Sequence, residues 1–515
     1  MGVYSAAAGY VRELFTNESL SVKDQLGYSA GIFGNCMGQD SVGTYGDKFE
    51  RDFVGINHRS MLLKDVVSKG IGFVLPPFIG RWYDTSAKGK RSHIRSALNV
   101  APIPFALFST LLFVVPSSSA VFNFFWTFVC GLLFTVADTF YDMAMEALGL
   151  KLCRAPEDRK NFFSLTSLAS SLGSMLPGWL IPIIVGRTDS ADEKQMRYFI
   201  VALVFCVIGT LTMYLPTFTL RGRVDDCIRQ LERQQTENKE ERVSWNRETL
   251  LAILHNRPFL VMQASRYFEM IRQITYKLLP YLYDDVLGHL GMKAIVDMIS
   301  GSLAYVGVAL VPKLGERLSA RSIMIGGYSY TGFFYVIMSL FNLRFDLGRL
   351  RKFRWVIGAC IGLAGMPNYA QSAAKKIITA DSTDYMEWYG YKHFGTPVRS
   401  DGLLSAAGNV NTKVIDILSA VLYNGLFGVI GYKEKDLTTG EAAVQSDRTL
   451  RGLFLMTTLC GLIGNALAAL TFFFDTHTGA RKQALLEELK TCRLQRGGGD
   501  MQFGDGNDGK NQALK

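Results

Sequence analysis

Apolar residues in this chain come in blocks of about twenty, separated by short polar or basic stretches. Eleven blocks are plain: roughly 61–83, 97–117, 121–150, 162–186, 197–220, 258–283, 294–312, 322–342, 355–377, 402–432 and 451–475. A twelfth, about 26–46, is weaker and opens Leu26-Gly-Tyr-Ser-Ala-Gly-Ile-Phe-Gly. All are too long for strands. About twenty residues at the helical rise cross the roughly 30 Å hydrocarbon core of a bilayer, so each block predicts a membrane-spanning helix. Pro76, Pro77, Pro177, Pro182 and Pro367 fall inside these blocks, as membrane helices tolerate.

The polar insert 221–257, rich in both signs of charge, has six blocks before it and six after. That layout predicts an all-α membrane protein of the major facilitator fold, with 12 transmembrane helices in two six-helix bundles. The expected units are a cytoplasmic segment 1–25, a bundle 26–220, a cytoplasmic central loop 221–257, a bundle 258–475 and a cytoplasmic tail 476–515. Asp225 to Leu254 has the pattern of a charged surface helix, and the tail from Arg496 that of a disordered one. Segment 1–25 lacks the apolar core of a signal peptide, so the first spans are expected to direct insertion themselves. Basic loops at 81–96, 151–160, the insert and 313–321 put those segments, and by parity both termini, on the cytoplasmic side of a cell membrane. One loop, with Arg344, Arg349, Arg351, Lys352 and Arg354, votes the other way.

Composition changes the picture in two ways. The net charge of +10 would suggest nucleic acid in a soluble protein, but here it is the cytoplasmic excess of Lys and Arg, and no nucleic-acid partner is expected. The mean hydropathy of +0.15 is low for a chain of this layout, so some spans must carry unusual polar content. Eight cysteines without a CxxC pair read as small core residues. There is no GxxxxGK[ST] loop and no spaced histidine pair with an acidic partner. An ATP-driven pump, an enzyme, a bound cofactor and a metal site are therefore not expected. A monomer is.

An ionisable group inside a bilayer costs several kcal/mol (about 2.5–3.5 on insertion scales) unless it faces a partner or water, so it is a functional candidate. Asp138, Asp142 and Glu146 follow one another at i, i+4 and i+8 and share a helical face. Three carboxylates on one stripe favour holding a proton or cation there, unless Glu146 is simply solvated and the aspartates pair with basic neighbours. Asn409, Lys413 and Asp416 share a face of the eleventh span; Lys413 suits either a switchable pair or a permanent salt bridge. Asp65 and Lys69 have the spacing of a pair within one helix. Arg266 and Glu269 share a face of the seventh span with Gln273, fit for an anionic ligand or for interhelical ion pairs. The first span carries Asn35, Gln39 and Asp40, with Asp47, Lys48, Glu50, Arg51 and Asp52 at its outer end. That helix either lines a wet cavity or stands partly outside the bilayer.

Several segments, in order along most of the chain, resemble one family. They are the opening from Leu26, Pro77-Phe-Ile-Gly-Arg-Trp-Tyr-Asp84 with the basic run Lys88-Gly-Lys-Arg91, Ala155-Pro-Glu-Asp-Arg159, Asn256-Arg-Pro-Phe-Leu260, Ala380-Asp-Ser-Thr-Asp384-Tyr-Met-Glu387-Trp388, and Asp401-Gly-Leu403. The chain resembles the glycoside-pentoside-hexuronide:cation symporter family of the major facilitator superfamily. The resemblance implies that Asp142 stands at the family's helix-four cation-site aspartate and Lys413 at its helix-eleven lysine, which links cation and sugar sites. It also exposes departures. Gly72 and Pro76 occupy the places of the two helix-two aspartates that bind the coupling cation, Cys36 that of a first-helix aspartate, and Ser167 that of its arginine partner.

The expected function is secondary active transport of a glycoside- or uronide-like solute by alternating access, coupled to H+ or Na+ through Asp142, Asp138 and Lys413. Candidate substrate contacts are Gln39, Asp40, Arg266, Glu269, Asn409 and Asp416. Translocation of lipid or lysolipid, or a non-transporting sensor on the same fold, are the alternatives.

Overall fold

The computed structural model describes residues 20–85, 93–152, 156–188, 190–220, 247–302, 318–395, 398, 401–434 and 444–496. The described chain is helical. The first half holds α1 (Val22–Phe49, continued by a π-helical turn Glu50–Val54), α2 (His58–Thr85), α3 (His93–Val100), α4 (Pro102–Leu111), α5 (Ala120–Leu152), α6 (Pro156–Val185) and α7 (Ala191–Thr219). The second half holds α8 (Arg247–Leu254), α9 (Arg257–Tyr281, with a π-helical turn Leu282–Val286) and α10 (residues 291–302). It continues with α11 (Ala320–Arg344), α12 (Leu347–Lys352), α13 (Arg354–Ala364), α14 (Asn368–Phe394), α15 (Asp401–Ile430), α16 (Asp447–Phe472) and α17 (Gly479–Arg496).

In the described residues the expected spans fall on helices or broken helices in the predicted order. Pro102 sits at the break between α3 and α4, where it removes a backbone donor; Gly365 to Pro367 separate α13 from α14. Seven stretches among the described residues are long and apolar enough by themselves to cross a membrane. The helices α1, α2, α9 and α14 fall outside that set because they carry the charges. Boundaries differ from the hydropathy reading where polar residues are helical: α1 runs from Val22, and segment 380–387, beyond the expected span 355–377, is part of α14. Most of segment 1–25, most of the expected charged helix of the insert, the basic runs 86–92 and 313–317, span residues 303–312 and the tail from 497 lie outside the described residues.

Side-chain caps fix several helix starts. Ser21 accepts from Asp24 N (3.2 Å) and Asn256 from Phe259 N (3.2 Å), each satisfying a donor that a helix leaves open. In the first half α1 packs on α6 and α7, and α5 on α2 and α4; in the second α9 packs on α14, α15 and α16, and α11 on α13, α14 and α16. The halves meet where α2 packs on α15 and α1 on α9. The α1–α7 contact needs glycine: a Cβ at Gly34 would lie 2.6 Å from the Gly209 carbonyl oxygen. Thus α1 is clamped between α5, α6 and α7 with its polar residues turned inward.

Candidate functional site

The acidic stripe of α5 is held by amides from α1. Asn35 Nδ2 donates to Asp142 Oδ1 (3.0 Å), and Gln39 Nε2 donates to Asp138 Oδ1 (2.7 Å). Asn35 is buried, Asp138 half-buried and Asp142 exposed. Its hydrogen bond to Asn35 points it toward α1. Glu146, the third member, is exposed too. Among the described residues Lys413 of α15 makes no ion pair within 4.0 Å, yet its charge acts on both Asp138 and Asp142. The carboxylates and the lysine thus face each other from opposite halves without touching.

The other polar edge of α1 faces α6. The Cys36 thiol lies 3.1 Å from Ser170 Oγ, and Asp40 is hydrogen-bonded with Ser174. This edge borders a cavity of about 480 Å³ between the halves, within the usual range of small-ligand sites. Thr44 of α1 and Ser170, Ser174 and Trp179 of α6 line one wall, and Tyr276 of α9 and Asn368 of α14 the other. Lys293 and Asp297 of α10 also reach it, paired with each other at 2.6 Å. Hydroxyls, an amide and aromatic rings are the chemistry that holds a polyhydroxylated solute.

One end of the interface is tied shut. Lys48, 1% exposed, bridges Asp52 (2.7 Å) of its own helix and Asp284 (3.3 Å) and Asp285 (3.1 Å) at the end of α9. Lys194 of α7 also reaches Asp284 (3.3 Å), and the Tyr432 hydroxyl contacts both Asp52 and Asp285 (2.9 Å each). Beside them, fully buried Arg51 donates to Asn424 Oδ1 (2.6 Å), and Asn424 Nδ2 donates to Asp65 (2.9 Å). Asp47 lies 3.9 Å from Lys277, and Glu50 pairs with Lys64 inside the first half. Such buried charges are stable only as a mutually paired set, so closure of this end depends on all of them together.

The remaining expected site residues are distributed as follows. Arg266 donates to Thr412 (2.8 Å), and Glu269 takes Lys375 (2.6 Å) and the Tyr328 hydroxyl, so both are engaged in contacts within the second half. Asn409 is exposed. Asp416 offers its backbone carbonyl to Lys69 Nζ across the interface (2.8 Å). The helical pair Asp65–Lys69 does not form; both side chains reach α15 instead, because α2 packs there. Sequence reasoning passed over Lys293, Asp297, Trp179 and Asn368. The i, i+4 spacing of Lys293 and Asp297, in a span otherwise apolar, was the available signal.

A helical membrane protein in two halves, with a polar cavity between them and a charged closure at one end, is a secondary transporter in architecture. The chain belongs to the family described as MFS/sugar transport protein, whose model matches residues 27–476. It is similar to the uncharacterized symporter YjmB of Bacillus subtilis (strain 168), 24% identical over 443 residues, covering 85% of this chain and 90% of that one. It is also similar to the isoprimeverose transporter of Lactiplantibacillus pentosus, 20% identical over 461 residues and 88% of each chain. Among solved structures, the inward open conformation of the xylose transporter XylE from E. coli matches with a TM-score of 0.55 at 12% identity, over 90% of this chain and 98% of that one. That likeness bears on the fold alone.

Proposed function

We propose that the chain carries a sugar-like solute through the interfacial cavity of a cell membrane, both termini cytoplasmic, as a proton-coupled symporter working as a monomer. The relatives' names support the solute class: one is an isoprimeverose transporter and another a putative glycoside/cation symporter. The observation that carries the coupling is Asp142, an exposed carboxyl on a spanning helix, steadied by Asn35 and acted on by the charge of Lys413 from the other half. A group so placed exchanges protons with water as the halves rock, and Lys413 answers its change of charge. Gly72 and Pro76, at the places of the two aspartates that hold a cation in the family, favour a proton over sodium, since a proton needs one carboxyl and Na+ needs a cage of oxygens. Asp138 is the second acid of the stripe, and Asp40 is the α1 carboxyl nearest the solute.

The test is Asp142→Asn in proteoliposomes. Accumulation driven by a proton gradient should vanish while solute exchange at equal pH persists. Normal accumulation by the variant would contradict the assignment.

A further inference from the structure

The second-half wall of the cavity carries an ion pair that ties no two elements together. Lys293 and Asp297 stand one turn apart on α10, with Lys293 Nζ 2.6 Å from Asp297 Oδ2. Other buried pairs join separate elements. Lys48 joins α1 to the end of α9, Glu50 with Lys64 joins the end of α1 to α2, and Lys375 with Glu269 joins α14 to α9. A pair one turn apart on a single helix adds little to stability, while placing both charges in a span is costly. Apolar residues in their place would pack α10 at least as well. The pair is accounted for by what it offers the cavity.

Both residues line the cavity, but unequally: the Lys293 side chain is 6% exposed and that of Asp297 28%. Lys293 is fixed in place. Its ammonium lies 5.4 Å from the centroid of the buried Tyr45 ring of α1 and holds one oxygen of Asp297. Among the described residues the other oxygen, Oδ1, has no protein hydrogen-bond donor. Further acceptors around the cavity are already engaged. Asn368 Oδ1 takes Arg272 Nη1 (2.9 Å), the Tyr276 hydroxyl takes Asn368 Nδ2 (3.0 Å), and Asp40 at the first-half edge is hydrogen-bonded with Ser174. Gly178 of α6 puts no side chain over the Asp297 carboxylate, and a Cβ there would lie 3.6 Å from Oδ2.

Resting on the sugar-transport reading, we propose that Asp297 is the second half's hydroxyl acceptor for the solute, and that Lys293 is the residue that positions it. A carboxylate with free lone pairs accepts neighbouring ring hydroxyls, and such charge-assisted bonds are stronger than those to neutral groups. Thr44, Ser170 and Ser174 line the opposite wall, so a ring held by Asp297 meets both halves at once. Because Lys293 already neutralises the acid, Asp297 calls for hydroxyls and not for a cation. That separates its part from that of Asp138 and Asp142.

The experiment measures equilibrium exchange of radiolabelled methyl glucoside and methyl xyloside by the full chain in proteoliposomes, over a range of concentrations. Asp297→Asn should raise the half-saturating concentration by about tenfold or more, the scale of a hydrogen bond to a charged group, and should lower the rate at saturation far less. That variant leaves Lys293 without its counter-ion, so Lys293→Met combined with Asp297→Leu is measured beside it. The combined variant puts no charge in α10 at these positions and keeps similar volumes, so it folds if the pair is dispensable to packing. Its half-saturating concentration should rise by the same tenfold or more, a split that a merely structural pair would not produce. Native half-saturation in the folded combined variant would reduce the pair to a structural one, overturning the proposal and leaving sugar transport standing. Movement of neither probe by the unaltered protein would overturn both.

Discussion

Replacing Lys48 by methionine should open the closed end of the interface. Lys48 is the cation around which Asp52, Asp284 and Asp285 gather, at 2.7, 3.3 and 3.1 Å. The three carboxylates present oxygens within 4.8 Å of one another. Two unit charges at 4.8 Å repel by about 3.5 kcal/mol at an effective dielectric of ~20, against about 0.9 kcal/mol in water. Without Lys48 only Lys194 and the Tyr432 hydroxyl remain to offset that repulsion. Opening lets water do so instead. Removing one partner of a buried ion pair typically costs about 3–5 kcal/mol, and here the cost falls on the closed arrangement alone. The equilibrium should therefore move toward the open end by roughly two to three and a half powers of ten.

Thr44 lines the cavity one turn before Lys48 on α1, so its accessibility reports the opening. The assay follows labelling of Thr44→Cys by a membrane-impermeant thiol reagent in intact cells, in a background without the eight native cysteines. Labelling should accelerate by tenfold or more when Lys48→Met is added, and Lys48→Arg should restore the slow rate. An unchanged rate in folded, membrane-inserted Lys48→Met would refute the claim that this lysine holds the end closed.

Other consequences follow from the same geometry. Gly173→Ala would drive a Cβ into the backbone carbonyl of Phe33 and should cost about 1–3 kcal/mol of α1–α6 packing, seen as a lower unfolding temperature in detergent. Lys375→Met should destabilise by about 3–5 kcal/mol, since Glu269 would keep only the Tyr328 hydroxyl; Lys375→Met with Glu269→Gln should recover most of the loss. Beyond the last span, burial pushes the His477 imidazole below its ordinary value. A group that binds protons less readily folded than unfolded loses stability as pH falls through the unfolded value of about 6.5, so the protection factors of α17 amides, with the intrinsic pH dependence of exchange divided out, should fall below that pH and not above it.

The order of the spans was legible because the bilayer imposes blocks of about twenty apolar residues whatever the neighbours do. The acidic stripe of α5 was legible for a similar reason: an i, i+4, i+8 spacing fixes a shared face before any packing is known. Hydropathy faltered on α1, whose Asn35, Gln39 and Lys48 look disruptive alone and are satisfied only by Asp142, Asp138 and Asp285 far along the chain. Segment 380–387 fell outside the expected span 355–377 because its acids face partners hydropathy cannot supply, such as Lys482 of α17 on Asp381 (2.6 Å). The pair Asp65–Lys69 had the spacing of a helical salt bridge, but tertiary packing on α15 offered each group another partner. Arg272 was visible as a charge in a span, while its bond to Asn368 was not, because only the fold shows that Glu269 is already taken by Lys375 and Tyr328.

The central claim is that a proton gradient drives a sugar-like solute through this chain. It is tested most directly by trapping a membrane-impermeant proton indicator inside proteoliposomes and adding methyl glucuronide or methyl glucoside without any imposed ion gradient. The account predicts that solute entry carries protons inward, visible as acidification of the lumen, and that Asp142→Asn abolishes the proton signal. Solute entry with no acidification, or an equal signal from the Asp142→Asn variant, would contradict it.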